Sequence, residues 1–72
     1  MATTIDARGL SCPQPVLMTL DTIKAGVDKE LIVLVDTDTS RENVSRAAAS
    51  QGYAVSSVDP DGDGYRLTLK KE

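Results

Sequence analysis

The chain contains no histidine, no phenylalanine and no tryptophan, and its one cysteine is Cys12. Without histidine it lacks the commonest general base and the commonest metal ligand. A single cysteine cannot close an intrachain disulfide. With the large aromatics missing, a core must come from Val, Leu, Ile, Ala and the two tyrosines. At 72 residues there is room for one small domain, residues 1–72, and no room for a deep pocket with its own cofactor. No cofactor and no metal are therefore expected, and such a domain acts through its surface. No apolar run is long enough to span a bilayer. A formal net charge of −3 argues against direct nucleic-acid binding, which calls for a basic face, and against adsorption to anionic membranes. Met1–Asp6 has neither the basic start nor the apolar stretch of a secretory leader. The expected setting is a reducing cytoplasm, where a lone thiol stays free.

What is present is a regular alternation of short elements. Thr3–Ala7 reads as an edge strand around Ile5, followed by a loop from Arg8 to Ser11 that carries Gly9. A first helix is predicted from Pro13 to about Ala25. Val16, Leu20 and Ile23 form its apolar stripe, Leu17 lies on the flank, and Lys24 and Gly26 mark its end. The continuous apolar run Leu31–Val35 reads as a central strand. Thr39 and Glu42 have capping-box spacing, which predicts a second helix starting near Ser40, with Val44, Ala47 and Ala48 as a narrow stripe and Gly52 as the stop. Tyr53–Val58 is a third strand, Asp59–Gly64 a turn, and Tyr65, Leu67 and Leu69 alternate with polar residues along a fourth. The predicted fold is an α+β two-layer sandwich of order β-α-β-α-β-β. It has a four-stranded mixed sheet, both helices on one face, a parallel first pair and a C-terminal hairpin.

The residues with chemical potential centre on Gly9-Leu10-Ser11-Cys12-Pro13-Gln14-Pro15. Proline is favoured at the first position of a helix, so Cys12-Pro13 reads as an N-cap followed by the first helical residue. A cap side chain points at the unpaired N–H groups of the first turn, where the helix dipole stabilises a thiolate and lowers its pKa. Pro15 removes a further N–H, which leaves the Gln14 amide as the expected thiolate partner. Arg8, four residues upstream, adds positive charge. The alternative is an inert, buried cysteine acting as a small hydrophobe. Elsewhere, Asp59–Gly64 matches the first half of a calcium-binding loop, but position twelve of that loop would be Lys70 instead of a bidentate Glu. An acidic turn is the expectation. Asp36 and Asp38 read as charges solvating a strand end near a helix start. Arg41, Glu42 and Asn43 form either a solvated face or a partner-contact surface. Met18 is expected to pack, and Tyr53 and Tyr65 to be strand residues with solvated hydroxyls.

Asp6-x-x-Gly9-Leu10-x-Cys12-Pro13-x-Pro15 resembles the signature of the TusA-like, or SirA-like, family of sulfur-carrier proteins. Length and element order match that family across the whole chain. Arg41-Glu42-Asn43-Val44 and Ser50-Gln51-Gly52-Tyr53 look more like its YedF-like branch. The resemblance implies that Cys12 accepts sulfane sulfur as a persulfide and relays it. Pro13 and Pro15 would form the frame, and Gly9 and Leu10 the approach loop. It also implies two kinds of partner: a sulfur-donor protein (a cysteine desulfurase or rhodanese-like protein) and an acceptor sulfur-relay protein. Two other readings use the same residues. One is a selenium- or redox-handling variant of the same thiol, and the other is a non-catalytic interaction or regulatory domain.

Overall fold

A computed structural model describes residues 3–10, 13–26 and 29–72. Six elements follow in the expected order: β1 (Thr3–Asp6), α1 (Gln14–Ala25), β2 (Glu30–Val35), α2 (Asp38–Ser50), β3 (Tyr53–Asp61) and β4 (Gly64–Lys71). The strands form one sheet in the order β1-β2-β4-β3. β1 pairs parallel to β2, with Ile5 opposite Val33. β4 runs antiparallel to β2 and to β3. β4 thus inserts between the two strands that α2 connects, and the apolar run of β2 becomes interior, as its composition requires.

Cross-strand register puts the apolar residues on one face. Ile5, Val33, Leu67 and Val58 form one row, and Leu31, Leu69 and Val55 form the next. β3 keeps this phase through a bulge between Val55 and Ser57, where one extra residue lets two valines three positions apart face the same side. Val44 and Ala48 of α2 close over this face, with Val16, Met18 and Ile23 of α1 packed alongside. Leu31, Leu67 and Leu69 are fully buried, and each contributes about 2 kcal/mol of hydrophobic stabilisation. Met18 packs against the core as expected.

Four local readings need correction. α1 begins one residue later than predicted: Pro13 is its N-cap, with φ −100° and no side-chain cap hydrogen bond. The Leu17 N–H bonds to the Pro13 carbonyl at 3.0 Å and forms the first rung. α2 begins two residues earlier, because Thr37, not Thr39, caps it by accepting the Ser40 N–H at 3.1 Å. The predicted Asp59–Gly64 turn shrinks to Gly62 and Asp63, since Asp59, Pro60 and Asp61 continue β3 opposite Arg66, Tyr65 and Gly64. Finally, the buried face of α1 is centred on Pro15 and Thr19. Thr19 satisfies its buried hydroxyl by donating to the Pro15 carbonyl at 2.9 Å. Leu17 is turned outward and is 46% exposed.

Gly64 is where the sheet fits most closely. A Cβ there would lie 2.2 Å from the Val35 carbonyl oxygen and 2.7 Å from the Asp36 Cα. Both are backbone atoms and cannot rotate away. Gly64→Ala is expected to cost about 2 kcal/mol, the usual scale for forced overpacking, seen as a lower urea midpoint with an unchanged slope. A midpoint equal to the parent's contradicts the close approach.

Candidate functional site

The parallel β1–β2 pair decides where the chemistry-bearing residues collect. Both strands end at the same edge of the sheet, and the Ala7 N–H extends their pairing by donating to the Leu34 carbonyl at 2.9 Å. β4 starts at that edge too, since Tyr65 lies opposite Val35. The stretch after β1, the β2–α2 connection and the β3–β4 turn therefore meet at one end of the molecule. Each of the first two leads into the start of a helix. The carboxyl edge of parallel strands, facing helix N-termini, is where α/β folds commonly place their ligands.

On the β1 side, Arg8 forms a fork with Asp6. Its Nε and one terminal nitrogen donate to the two carboxylate oxygens, both at 2.9 Å, and the Arg8 N–H adds a bond at 3.2 Å. The side-chain bonds to Arg8, then its backbone bond, hold Asp6 down at about 2. Arg8 is pushed up by the same contact, with smaller contributions from Asp61 and Asp36. Its charge, expected from sequence to serve Cys12, is thus shared among three carboxylates. Gly9 adopts a left-handed conformation, φ +76°, which glycine reaches without strain. Its N–H donates to Asp36 Oδ2 at 2.7 Å. This contact spans 27 residues of sequence and was missed by reading Asp36 only as a solvating charge.

Ser11 and Cys12 lie outside the described residues, and the N-cap position expected at Cys12 falls on Pro13 instead. On the far side of Cys12, Pro13 and Gln14 are exposed and Pro15 is buried in the core. The prolines carry no N–H and Leu17 is already bonded, so Gln14 and Val16 supply the first-turn donors not used within α1. Gln14 and Leu17 share a helix face. Leu10 is 38% exposed and Leu17 46%, so an uncovered leucine stands on either side of Cys12 along the chain. Sequence had placed Leu17 on the flank of the core stripe. The signal that could have corrected this is the i, i+4 pair Pro15 and Thr19, which takes the buried face instead.

At the start of α2, the Tyr65 hydroxyl donates to Asp38 Oδ1. The Arg41 guanidinium lies over the Tyr65 ring, 5.2 Å from its centroid, and its Nε is 3.7 Å from Asp38 Oδ1. The hydroxyl expected to be solvated is therefore bonded, and the bond to Asp38, followed by that carboxylate's charge, pushes the Tyr65 pKa up. Among the described residues, no three His, Cys, Asp or Glu side chains are placed to hold a metal ion. No helix among them is long and apolar enough to cross a membrane.

The Asp6 fork has a titration signature. Its folded pKa lies below the ordinary carboxylate value of 3.8, so its stabilising effect is present above that value and is lost as pH falls toward 2. Arg8→Ala is expected to return the Asp6 carboxyl to the ordinary range in an NMR pH titration. If Asp6 still titrates near 2, Arg8 is not the cause.

Residues 3–71 match the family model described as sulfurtransferase TusA. The chain is 34% identical over 70 residues to a protein of Methanocaldococcus jannaschii named "Putative sulfur carrier protein", covering 93% of this chain and 91% of that one. The crystal structure of the SirA-like protein from Desulfitobacterium hafniense superimposes with a TM-score of 0.82 at 32% identity, over the whole of both chains. Sequence and fold thus agree: the chain belongs to the TusA family of sulfurtransferases.

Proposed function

We propose that this protein carries sulfane sulfur as a persulfide on Cys12, receiving it from one protein and passing it to another. The carrying observation is that the chain's only cysteine immediately precedes in sequence the Pro13 cap of α1, in the connection between β1 and α1. Membership of the sulfurtransferase family supports the same reading. The chemistry needs no metal and no histidine, a residue the chain lacks. The Cys12 thiolate attacks the outer sulfur of a donor persulfide, R–S–SH. The donor S–S bond breaks, R–S⁻ leaves, and Cys12–S–SH forms with the proton retained on the terminal sulfur. An acceptor thiolate then attacks that sulfur, takes it as its own persulfide and releases the Cys12 thiolate. Sulfane sulfur moves at a constant oxidation level, so no external oxidant or reductant is consumed. What this chemistry requires of the protein is positive potential at the start of α1, an exposed thiol and a surface on which partners dock. Leu10 and Leu17, exposed on either side of Cys12 in sequence, offer apolar side chains for such a surface. The donor is a cysteine desulfurase or rhodanese-like protein, the acceptor is a further relay protein, and the thiol works in a reducing compartment such as the cytoplasm.

Intact-mass spectrometry after incubation with glutathione persulfide is expected to show the parent gaining the mass of one sulfur atom, removable by dithiothreitol. Cys12→Ser keeps the size of the side chain but cannot hold sulfane sulfur, so its loading should fall to background. A parent that never gains sulfur, or a Ser variant that loads equally, contradicts the proposal.

A further inference from the structure

We propose that Pro60 holds the outer edge of β3 closed against strand pairing with a second copy of this chain. β3 is the last strand of the sheet and, among the described residues, pairs with β4 alone. The opposite edge, β1, has four residues, whereas β3 has nine. β3 is therefore the edge with the length to accept another strand. Val58 makes that edge apolar as well as long. Its side chain lies in the row with Leu67, yet it is 42% exposed. Edges of this kind are where identical chains pair and aggregate unless something blocks them.

The phase of the β3–β4 hairpin decides what Pro60 does there. Gly62 and Asp63 form a two-residue turn, with Gly62 at φ +59° in its first central position, the form whose twist suits the strands it joins. Asp61 and Gly64 close the turn, and such a closing pair exchanges both of its backbone hydrogen bonds. The register runs unbroken along β4, so the residues that bond to β3 run from Gly64 in steps of two to Glu72. The Glu72 N–H accordingly donates to the Gly52 carbonyl at 2.9 Å. Tyr65 falls between two such residues, so its partner Pro60 turns its nitrogen outward, away from β4. Pro60 thus costs the sheet no bond. What it removes is an N–H from the outer edge, next to that of Val58. On the other side of Val58, the bulge between Val55 and Ser57 breaks the spacing that an incoming strand would need. Between bulge and turn, the Val58 N–H is the one outward donor left. Asp59 and Asp61 add like charges that two paired β3 strands would have to bring together.

Pro60→Thr restores the outward N–H with a strand-favouring side chain and leaves the bonds to β4 in place. Sedimentation velocity over a wide concentration range reads association, and amide exchange at Val58 and Asp59 reads where it occurs. The parent is expected to sediment as a monomer, with a fast Val58 amide and a protected Asp59 amide. The Thr variant should associate at least about tenfold more tightly, because a two-fold pairing regains the bond once in each copy. Its Val58 amide should become protected as concentration rises, with Asp59 protected throughout. Adding Val58→Pro to Pro60→Thr moves the block to the other outward position and should return the monomer. Should Thr unsettle the fold, Pro60→Ala restores the same N–H and is read in its place. A variant as monomeric as the parent overturns the inference. So does association that leaves Val58 unprotected, or a parent that already pairs through β3.

Discussion

The parallel pairing of β1 with β2 is the constraint on which the rest of this molecule depends. A parallel pair cannot be joined by a tight turn, so α1 must cross the sheet, and its start must lie where β1 ends. β2 ends at the same edge and feeds α2 in the same way. The start of α2 and the described stretch Ala7–Leu10, which leads on to α1, are thereby brought to one edge. The hairpin β3–β4 completes the arrangement. By inserting β4 beside β2, it places Gly64 and Tyr65 under the β2–α2 connection. Tyr65 then ties α2 down through Asp38 and Arg41.

At that edge carboxylates outnumber arginines, in keeping with the net charge of −3. Arg8 is held by Asp6 and influenced by Asp36 and Asp61, and Arg41 is held by Asp38 and Tyr65. The two arginines nearest the helix starts are therefore committed to carboxylates. The backbone of α1 adds the positive end of its dipole to this edge, with first-turn donors thinned to Gln14 and Val16 by its prolines. Backbone dipoles keep their sign at every pH, so a carrier built this way needs no titrating partner. This suits a chain without histidine.

Much of this was legible in the sequence because it follows from periodicity. The Leu31–Val35 run, the alternation of Tyr65, Leu67 and Leu69, and the Gly26 stop each carry one strong local signal. The segment from Gly9 to Pro15 is specific enough to indicate the family. The failures came where two local signals competed. Thr37 and Thr39 are both cap residues, and the capping-box spacing of Thr39 with Glu42 lost to the earlier Thr37, which β2 delivers in extended geometry (φ −135°, ψ 155°). Asp59 and Pro60 look like turn residues, yet β3 is an edge strand, where a proline without an N–H is tolerated. Pro15 was read as a frame for Cys12 but is also a core residue, and that is what turns Leu17 outward. Asp36 could not have been found at all, because its partner lies 27 residues away and only the strand pairing brings the two together.

The central claim is that sulfur rests on Cys12 and then leaves it for another protein. A pulse–chase with a donor labelled in its sulfane sulfur tests this most directly. The labelled protein is freed of donor, fragmented in the mass spectrometer to locate the label, and in parallel mixed with a thiol acceptor. The label should sit in fragments that contain Cys12 and should appear on the acceptor as Cys12 is emptied. Label found elsewhere in the chain, or label that stays on Cys12 while the acceptor gains none, would contradict a carrier.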